Sequence, residues 1–557
     1  MKRLLALLLV LCLLFSCAWA EEASRDPSND IVILYTNDVH CGVEEGWGYA
    51  GVYAVREYYR KNHKEGHVFL VDCGDAVQGE AIGLMTSGEA ILDIMNVMDY
   101  DAVTLGNHEF DFGTNQLDKL LGMAKFPYVC CNFFKDGKQV LPSYLIKEAD
   151  GVKIAFVGVV TPLTMRTSLP ASVKNEKGEY VFSFAGGKDG QELYDTVQKA
   201  VDEARAEGAD YVILLAHLGN QAEYGPYQYA KLIENTTGID AMLDGHSHDT
   251  DQAVVKNKEG KDVVRTSSGT KLANIGVLTI TAEGKISSEL LQWNQAAGAP
   301  ALLGVQNAAA DEAAAVEKEI NENLGQKVAE SPFVLYVNDP TARDEEGNPV
   351  RIIRQAETNL GDLVADALLQ QAGDGDIAFI NSGAIRDALP SGTITENNVI
   401  TVLPFQSYVM TVELSGQTVL DALEWSAHVV SGEFGGFLQV SGLTYEINGQ
   451  IPSPVVEDEN GFFDYVDETK ERRVRNVKVK GEDLDPQKTY RVVSIDFHIM
   501  GGDGYSMYDG AKIVSLLDKL AYQALIDYMR DALGGVVSAD YENPYGQGRI
   551  VSADAGE

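Results

Sequence analysis

Five of this chain's nine histidines stand at the ends of apolar runs, and any fold it adopts has to account for them together. Ile31 to Tyr35 leads through Thr36-Asn37-Asp38-Val39 to His40, and Ala102 to Leu105 leads through Gly106-Asn107 to His108. Tyr211 to Ala216 leads to His217, and Ile239 to Leu243 leads through Asp244-Gly245 to His246 and His248. A further run, Val68 to Val71, ends in Asp72-Cys73-Gly74-Asp75. Short apolar runs of this kind read as buried strands, and open α/β sheets place their ligands at the carboxyl ends of such strands. The pattern therefore predicts an α/β domain with these polar residues gathered at one edge.

The residue types suit metal chemistry. In extended backbone, residues two apart point the same way, so Asp38 and His40 can bind one cation. Gly74 allows close backbone approach and leaves Asp75 free to bridge. Asn107 offers an amide oxygen, His108 a proton or a hydrogen bond, and Asp111 a carboxylate able to orient the imidazole. Together they form a mixed nitrogen and oxygen inventory for two neighbouring divalent cations, with Zn, Mn, Co or Fe all compatible. His63, His67 and His428 lack this context and read as surface or core histidines.

Length implies two domains of roughly 200–300 residues each. A formal net charge of −39 excludes a nucleic-acid or anionic-membrane binder, so an anionic substrate must be drawn in locally by metals or a few arginines. Lys2 and Arg3, the apolar run Leu4 to Phe15 and the small-x-small site Ala18-Trp19-Ala20 read as a signal peptide over residues 1–20, and the short Lys-Arg start looks bacterial. The protein is expected to be exported, to periplasm, cell surface or medium. Leu14-Phe15-Ser16-Cys17 competes as a lipoprotein signal with a lipid anchor at Cys17, and no later stretch is apolar enough to span a bilayer. Cys41, Cys73, Cys130 and Cys131 form neither a disulfide framework nor a metal spacing and read as small buried hydrophobes.

Beyond Leu290 the ligand pattern stops. Ala308 to Lys327 reads as an exposed connecting helix closed by Gly325. A second group of signals follows: Arg354, then Thr358-Asn359-Leu360-Gly361 at the start of a helix, then Asn381-Ser382-Gly383-Ala384-Ile385-Arg386 after the strand Ile377 to Ile380. Pro404-Phe405, Asp496-Phe497-His498 and Gly501-Gly502-Asp503-Gly504-Tyr505 come later. Nothing here suggests a nucleophile or a metal cluster. Two arginines suit a phosphate, two phenylalanines can stack on a flat base, and an aspartate can accept from ribose hydroxyls.

Asp38-Val39-His40, Gly74-Asp75, Gly106-Asn107-His108-Glu109, His217 and Gly245-His246-Ser247-His248 resemble, in order, the blocks of the calcineurin-like metallophosphoesterases. With the second-half motifs, nearly the whole mature chain is similar to the 5′-nucleotidase and UDP-sugar hydrolase family. The resemblance implies a two-domain α/β protein. Residues 28–305 would form a metallophosphoesterase domain of two packed sheets flanked by helices, residues 306–327 a linker helix, and residues 328–552 a mixed α/β nucleotide-recognition domain able to swing about the linker. It also implies one metal on Asp38, His40 and His248, a second on Asn107, His217 and His246, and Asp75 between them. His108 with Asp111 would be catalytic. Phe405 and Phe497 would clamp the base and Asn381 would hydrogen-bond it, Asp503 would hold the ribose, and Arg354, Arg386 and the Gly383 backbone would hold phosphate. Ala384 departs from the glycine usual in that turn. The implied activity is release of phosphate from nucleoside 5′-monophosphates by hydroxide from metal-bound water. Alternatives are a 2′,3′-cyclic-nucleotide phosphodiesterase/3′-nucleotidase, which Asp111 disfavours, a UDP-sugar or dinucleotide pyrophosphatase, and a non-catalytic nucleotide-binding surface lipoprotein.

Overall fold

The computed structural model describes residues 26–168, 180–293, 307–343, 349–458 and 461–552. The signal segment, Cys17 and the residues on either side of the expected 305/306 boundary lie outside them. In the first domain two sheets pack face to face. One has the strand order Ile286–Gln292, Asn274–Ile280, Ile31–Thr36, Val68–Asp72, Ala102–Val103. The other runs Thr250–Lys256, Asp262–Ser268, Ala241–Leu243, Tyr211–His217, Val152–Val160, Tyr144–Ala149.

Period-two alternation explains the layering. Ile31, Ile33, Tyr35, Phe69 and Val71 face Ile154, Phe156, Ile213 and Leu215 between the sheets. The intervening Val32, Leu34, Val68 and Leu70 face outward, into a core shared with the helices Gly48–Asn62 and Glu89–Met98. Ala155, Val157, Val212 and Leu214 pack in the same way under the helix Gln191–Ala206. Strands covered on both sides can be apolar throughout, which is why they appear in the sequence as unbroken runs.

Ile31–Thr36, Val68–Asp72 and Ala102–Val103 are parallel to one another, as are Val152–Val160, Tyr211–His217, Ala241–Leu243 and Asp262–Ser268. Parallel pairing sends the carboxyl ends, with their histidines and aspartates, to one edge of the sandwich.

The helix Ala308–Leu324 is not the exposed rod expected. Ala309 and Ala313 are buried against the first domain's outer core, with Val316 beside them. Its alanine face lets it lie close to neighbouring helices, a packing role that an Ala/Glu-rich composition hides.

The second domain is built on a sheet with the order Leu438–Ser441, Ile377–Asn381, Thr489–Ile495, Tyr408–Ser415, Lys512–Leu520. The helix Asn359–Ala372 covers one face and Gly416–Ser426, carrying the buried Trp425, covers the other. The Thr358-Asn359-Leu360-Gly361 motif is a structural start to the first of these helices. Thr358 Oγ1 accepts from the Gly361 N–H at 3.1 Å, and the Asn359 amide donates to the Val334 and Tyr541 carbonyls. A Cβ at Gly361 would meet Gln439 Oε1 at 2.2 Å.

Candidate active site

At the carboxyl edge of the first domain, Asp38, His40 and His248 form one group and Asp75, His217 and His246 a second, the donor atoms of each lying within 4.8 Å of one another. Asp75 stands between them: its Oδ2 is 3.0 Å from His217 Nε2 and 3.7 Å from His40 Nε2. The backbone is bent to achieve this. Asp38, His40, Asp75, His246 and His248 all have positive φ, between 47° and 79°. Such conformations cost about 1–3 kcal/mol each in non-glycine residues and persist where the surroundings impose them.

The surroundings are specific. His40 Nδ1 donates to the Gln78 carbonyl at 2.9 Å and His217 Nδ1 to the Cys73 carbonyl at 2.8 Å, which leaves both Nε2 lone pairs for a cation. Glu109 accepts the N–H groups of Asp75, Ala76 and Gly106 at 2.9, 2.8 and 2.6 Å, joining two ligand loops. Gly106 has to be glycine, since a Cβ there would lie 2.1 Å from Asp75 Oδ1.

These residues fit a metal pair. Asn107 Oδ1, His217 Nε2 and His246 Nε2 are buried and hydrogen-bond to nothing among the described residues. His40 Nε2 and His248 Nε2 face each other at 2.9 Å. Buried polar atoms are otherwise nearly always satisfied, so a converging set of bare nitrogen and oxygen donors points to cations. Burial pushes the Asp38 carboxyl up to about 7, with Asp75 adding to the rise and His217 opposing it.

Above the clusters lies a cleft between the domains. Its floor carries Asp75, Asn107, His108, Asp111, His246 and His248, and its far wall Arg354, Asn381, Gly383, Arg386, Phe405, Phe497 and Asp503. Asp38, His40 and His217 complete the metal groups beneath. His108 Nδ1 is 2.6 Å from Asp111 Oδ2. Burial disfavours a charge on His108, but Asp111 and Asp75 outweigh it and hold its pKa above the ordinary value. Arg386 is pushed down to about 10 by burial and then by Arg354 and Arg351, as befits a cationic cluster built for an anion. The Phe405 ring lies 6.0 Å from that of His108 and 5.9 Å from the Arg386 guanidinium. Asn381 Nδ2 donates to Asp503 Oδ2 at 2.7 Å, while Asn381 Oδ1 is buried with no hydrogen-bond partner among the described residues.

Two expectations change in detail. The Gly383 N–H already donates to the Gly435 carbonyl at 2.6 Å, so Gly383 contributes close approach to the wall and no free donor. Ala384 sits in a short turn, Ser382–Ala384, without positive φ, so the missing glycine leaves the turn intact. His63, His67 and His428 lie outside the metal groups.

Family profiles match over two segments: calcineurin-like phosphoesterase over residues 31–250 and 5′-nucleotidase, C-terminal domain, over 338–510. The chain belongs to the 5′-nucleotidase family of metallophosphoesterases. As such it is a metal-dependent phosphoester hydrolase. It is 26% identical to protein UshA of Escherichia coli (strain K12), covering 91% of each chain. It is 25% identical to the trifunctional nucleotide phosphoesterase protein YfkN of Bacillus subtilis (strain 168) over 94% of its own length, and spans 35% of that longer protein. The crystal structure of a 5′-nucleotidase precursor from Thermus thermophilus superposes with a TM-score of 0.76 at 27% identity, over 95% of this chain and all of that one.

Several family-site neighbours escaped the sequence reading. Arg351, three residues before Arg354 in the same short segment, lines the cleft and reaches within 3.5 Å of His248 Nδ1; its spacing from Arg354 was the available signal. Arg265, fully buried, ties Asp244 to Asp249 on either side of the His246–His248 loop. Gln78, Arg166, Tyr224 and Asp496 also line the cleft. Gln78, Arg166 and Tyr224 come from segments without a motif, and only folding brings them in, whereas Asp496 stands in the Asp496-Phe497-His498 stretch without a role assigned to it.

Proposed function

We propose that this protein is an exported 5′-nucleotidase that releases phosphate from nucleoside 5′-monophosphates. The observation that carries the reading is the two-sided cleft, with paired metal groups and His108 on one wall and arginines, phenylalanines, Asn381 and Asp503 on the other. Its export rests on the Lys2-Arg3 and Leu4 to Phe15 leader; among the described residues no helix is long and apolar enough to cross a membrane.

Asp38, His40 and His248 would hold one divalent cation, Asn107, His217 and His246 the other, and Asp75 both. Such a pair supplies a nucleophilic hydroxide near neutral pH and neutralises charge on the phosphoryl oxygens. Arg354 and Arg386 grip the phosphate and orient it. His108, held by Asp111, donates a hydrogen bond to the phosphoryl group or the leaving oxygen. Phe405 and Phe497 stack the base, Asn381 accepts from base or sugar through its free oxygen, and Asp503 accepts from ribose hydroxyls. The second domain would carry nucleotide to the metals.

A second reading, cleavage of a pyrophosphate linkage as in UDP-sugars, draws on Arg351, a third guanidinium suited to a second phosphate. The test is phosphate release from AMP by the purified full chain before and after chelation, with Zn, Mn, Co and Fe reloaded separately and UDP-glucose and 2′,3′-cyclic AMP run beside it. Chelator-sensitive release from AMP is expected. Turnover confined to either companion would move the substrate assignment, and silence on all three after reloading would overturn it.

A further inference from the structure

Asp496 has no part in the chemistry above, yet it lines the cleft beside the aromatic pair. Its position follows from topology. Thr489–Ile495 runs parallel to Ile377–Asn381, so the two strands deliver Asp496-Phe497 and Asn381 to the same edge of the sheet. Asp496 Oδ1 accepts two backbone N–H groups, from Tyr408 at 3.0 Å and from Phe497 at 2.8 Å. The carboxylate therefore joins the segment that carries Phe405 to the segment that carries Phe497.

Both bonds fall on one oxygen. Oδ2 has no hydrogen-bond or ion-pair partner on any other described residue, although the side chain is partly buried in the cleft wall. Burial raises the Asp496 carboxyl, and the N–H groups of Phe497, Tyr408 and Asp496 itself oppose that rise without cancelling it. An ionised carboxylate only accepts. A base held between Phe405 and Phe497 would thus meet, at its edge, a fixed acceptor with no cation to neutralise it.

We propose that Asp496 reads the base, favouring nucleotides whose base carries an exocyclic amino group over their keto counterparts. The proposal rests on the nucleotidase reading and adds to it a substrate preference that the metal chemistry does not set. An amino group donates to Oδ2, whereas a keto oxygen in the same place faces a like partial charge and offers it no donor. Because Asp496 touches neither the phosphate nor the reacting atoms, the discrimination should sit mainly in KM.

The test compares AMP with IMP and CMP with UMP on the metal-loaded full chain, each pair differing in an amino-for-keto exchange and in the adjacent ring nitrogen, which accepts in the amino base and donates in the keto one. The wild type is expected to favour AMP and CMP by about 10- to 100-fold in kcat/KM, the range for a hydrogen bond to a charged group. In Asp496→Asn, whose amide can present either its oxygen or its nitrogen, both ratios should fall to within about threefold, a shift carried by KM. A wild type that turns over AMP and IMP equally overturns the base-reading role and leaves the nucleotidase reading standing. Unchanged ratios in Asp496→Asn would do the same, and the wild-type ratios keep the test decisive even if the variant fails to fold. Absence of turnover on every nucleotide after metal reloading overturns both readings.

Discussion

Arg265 gives the sharpest test of how the metal-bearing loop is held. Its side chain is 0% exposed, and its Nε and Nη2 donate to Asp244 Oδ2 at 3.1 and 2.8 Å. Its Nη1 and Nη2 donate to Asp249 at 2.5 and 3.1 Å, and Nη1 also reaches Asp251 at 3.2 Å. Burial opposes the guanidinium charge, but Asp244 and Asp249 outweigh it and raise the pKa. Asp244 Oδ1 in turn accepts the Leu218 and Gly219 N–H groups just after His217. One side chain thus holds the loop carrying His246 and His248 at both ends and ties it to the strand end carrying His217. Arg265→Met keeps much of the volume but strands Asp244 without its cation. Removing one partner of a buried pair costs about 3–5 kcal/mol. In a domain of this size each kcal/mol lowers Tm by about 2–4 °C, so a fall of roughly 6–20 °C is expected. Arg265→Lys should recover only part of it, because an ammonium cannot span both carboxylates in a fork. The assay is thermal unfolding of the chelated protein followed by metal content after reloading, so that loss of stability and loss of metal are read separately. A chelated Arg265→Met that melts within about 2 °C of wild type and reloads metal fully would refute the argument.

Two further outcomes concern the cleft. His108→Ala should lower kcat by roughly 10²- to 10⁴-fold with metal content unchanged, because it removes a hydrogen-bond donor and no ligand; wild-type turnover in that variant would take His108 out of the mechanism. Phe405→Ala should lose about 1–3 kcal/mol of base stacking, about 5- to 150-fold in kcat/KM for AMP, while ribose 5-phosphate, which has no base to stack, should be affected far less. Equal losses on both substrates would mean that the ring serves the cleft's shape and does not stack on a base.

Much of the candidate site was legible because its ligands adjoin the apolar runs that carry them. Once the runs are parallel strands, every ligand that directly follows one goes to the same edge, so Asp38, Asp75, Asn107, His217 and His246 could be placed together without coordinates. The second domain was legible for the same local reason, since Asn381 ends one strand and Phe497 lies two residues beyond another. Residues whose role depends on a distant partner were not. Glu109 stood in a recognised motif, but its service to the N–H groups of Asp75 and Ala76 depends on two loops meeting. Arg265 sits within a strand, and nothing near it in the chain marks it as the clamp of a loop that begins twenty-one residues earlier.

The sequence alone determined the α/β class, the two-domain plan, the ligand inventory and the excess negative charge, all consequences of residue type and short-range order. Tertiary structure alone decided that Ala308–Leu324 packs onto the first domain, that the Gly383 N–H is taken by Gly435, and that Arg351 and Asp496 face the cleft. Each of these depends on which surface another segment covers, and burial and hydrogen-bond satisfaction are properties of the assembled chain that no short stretch of it encodes.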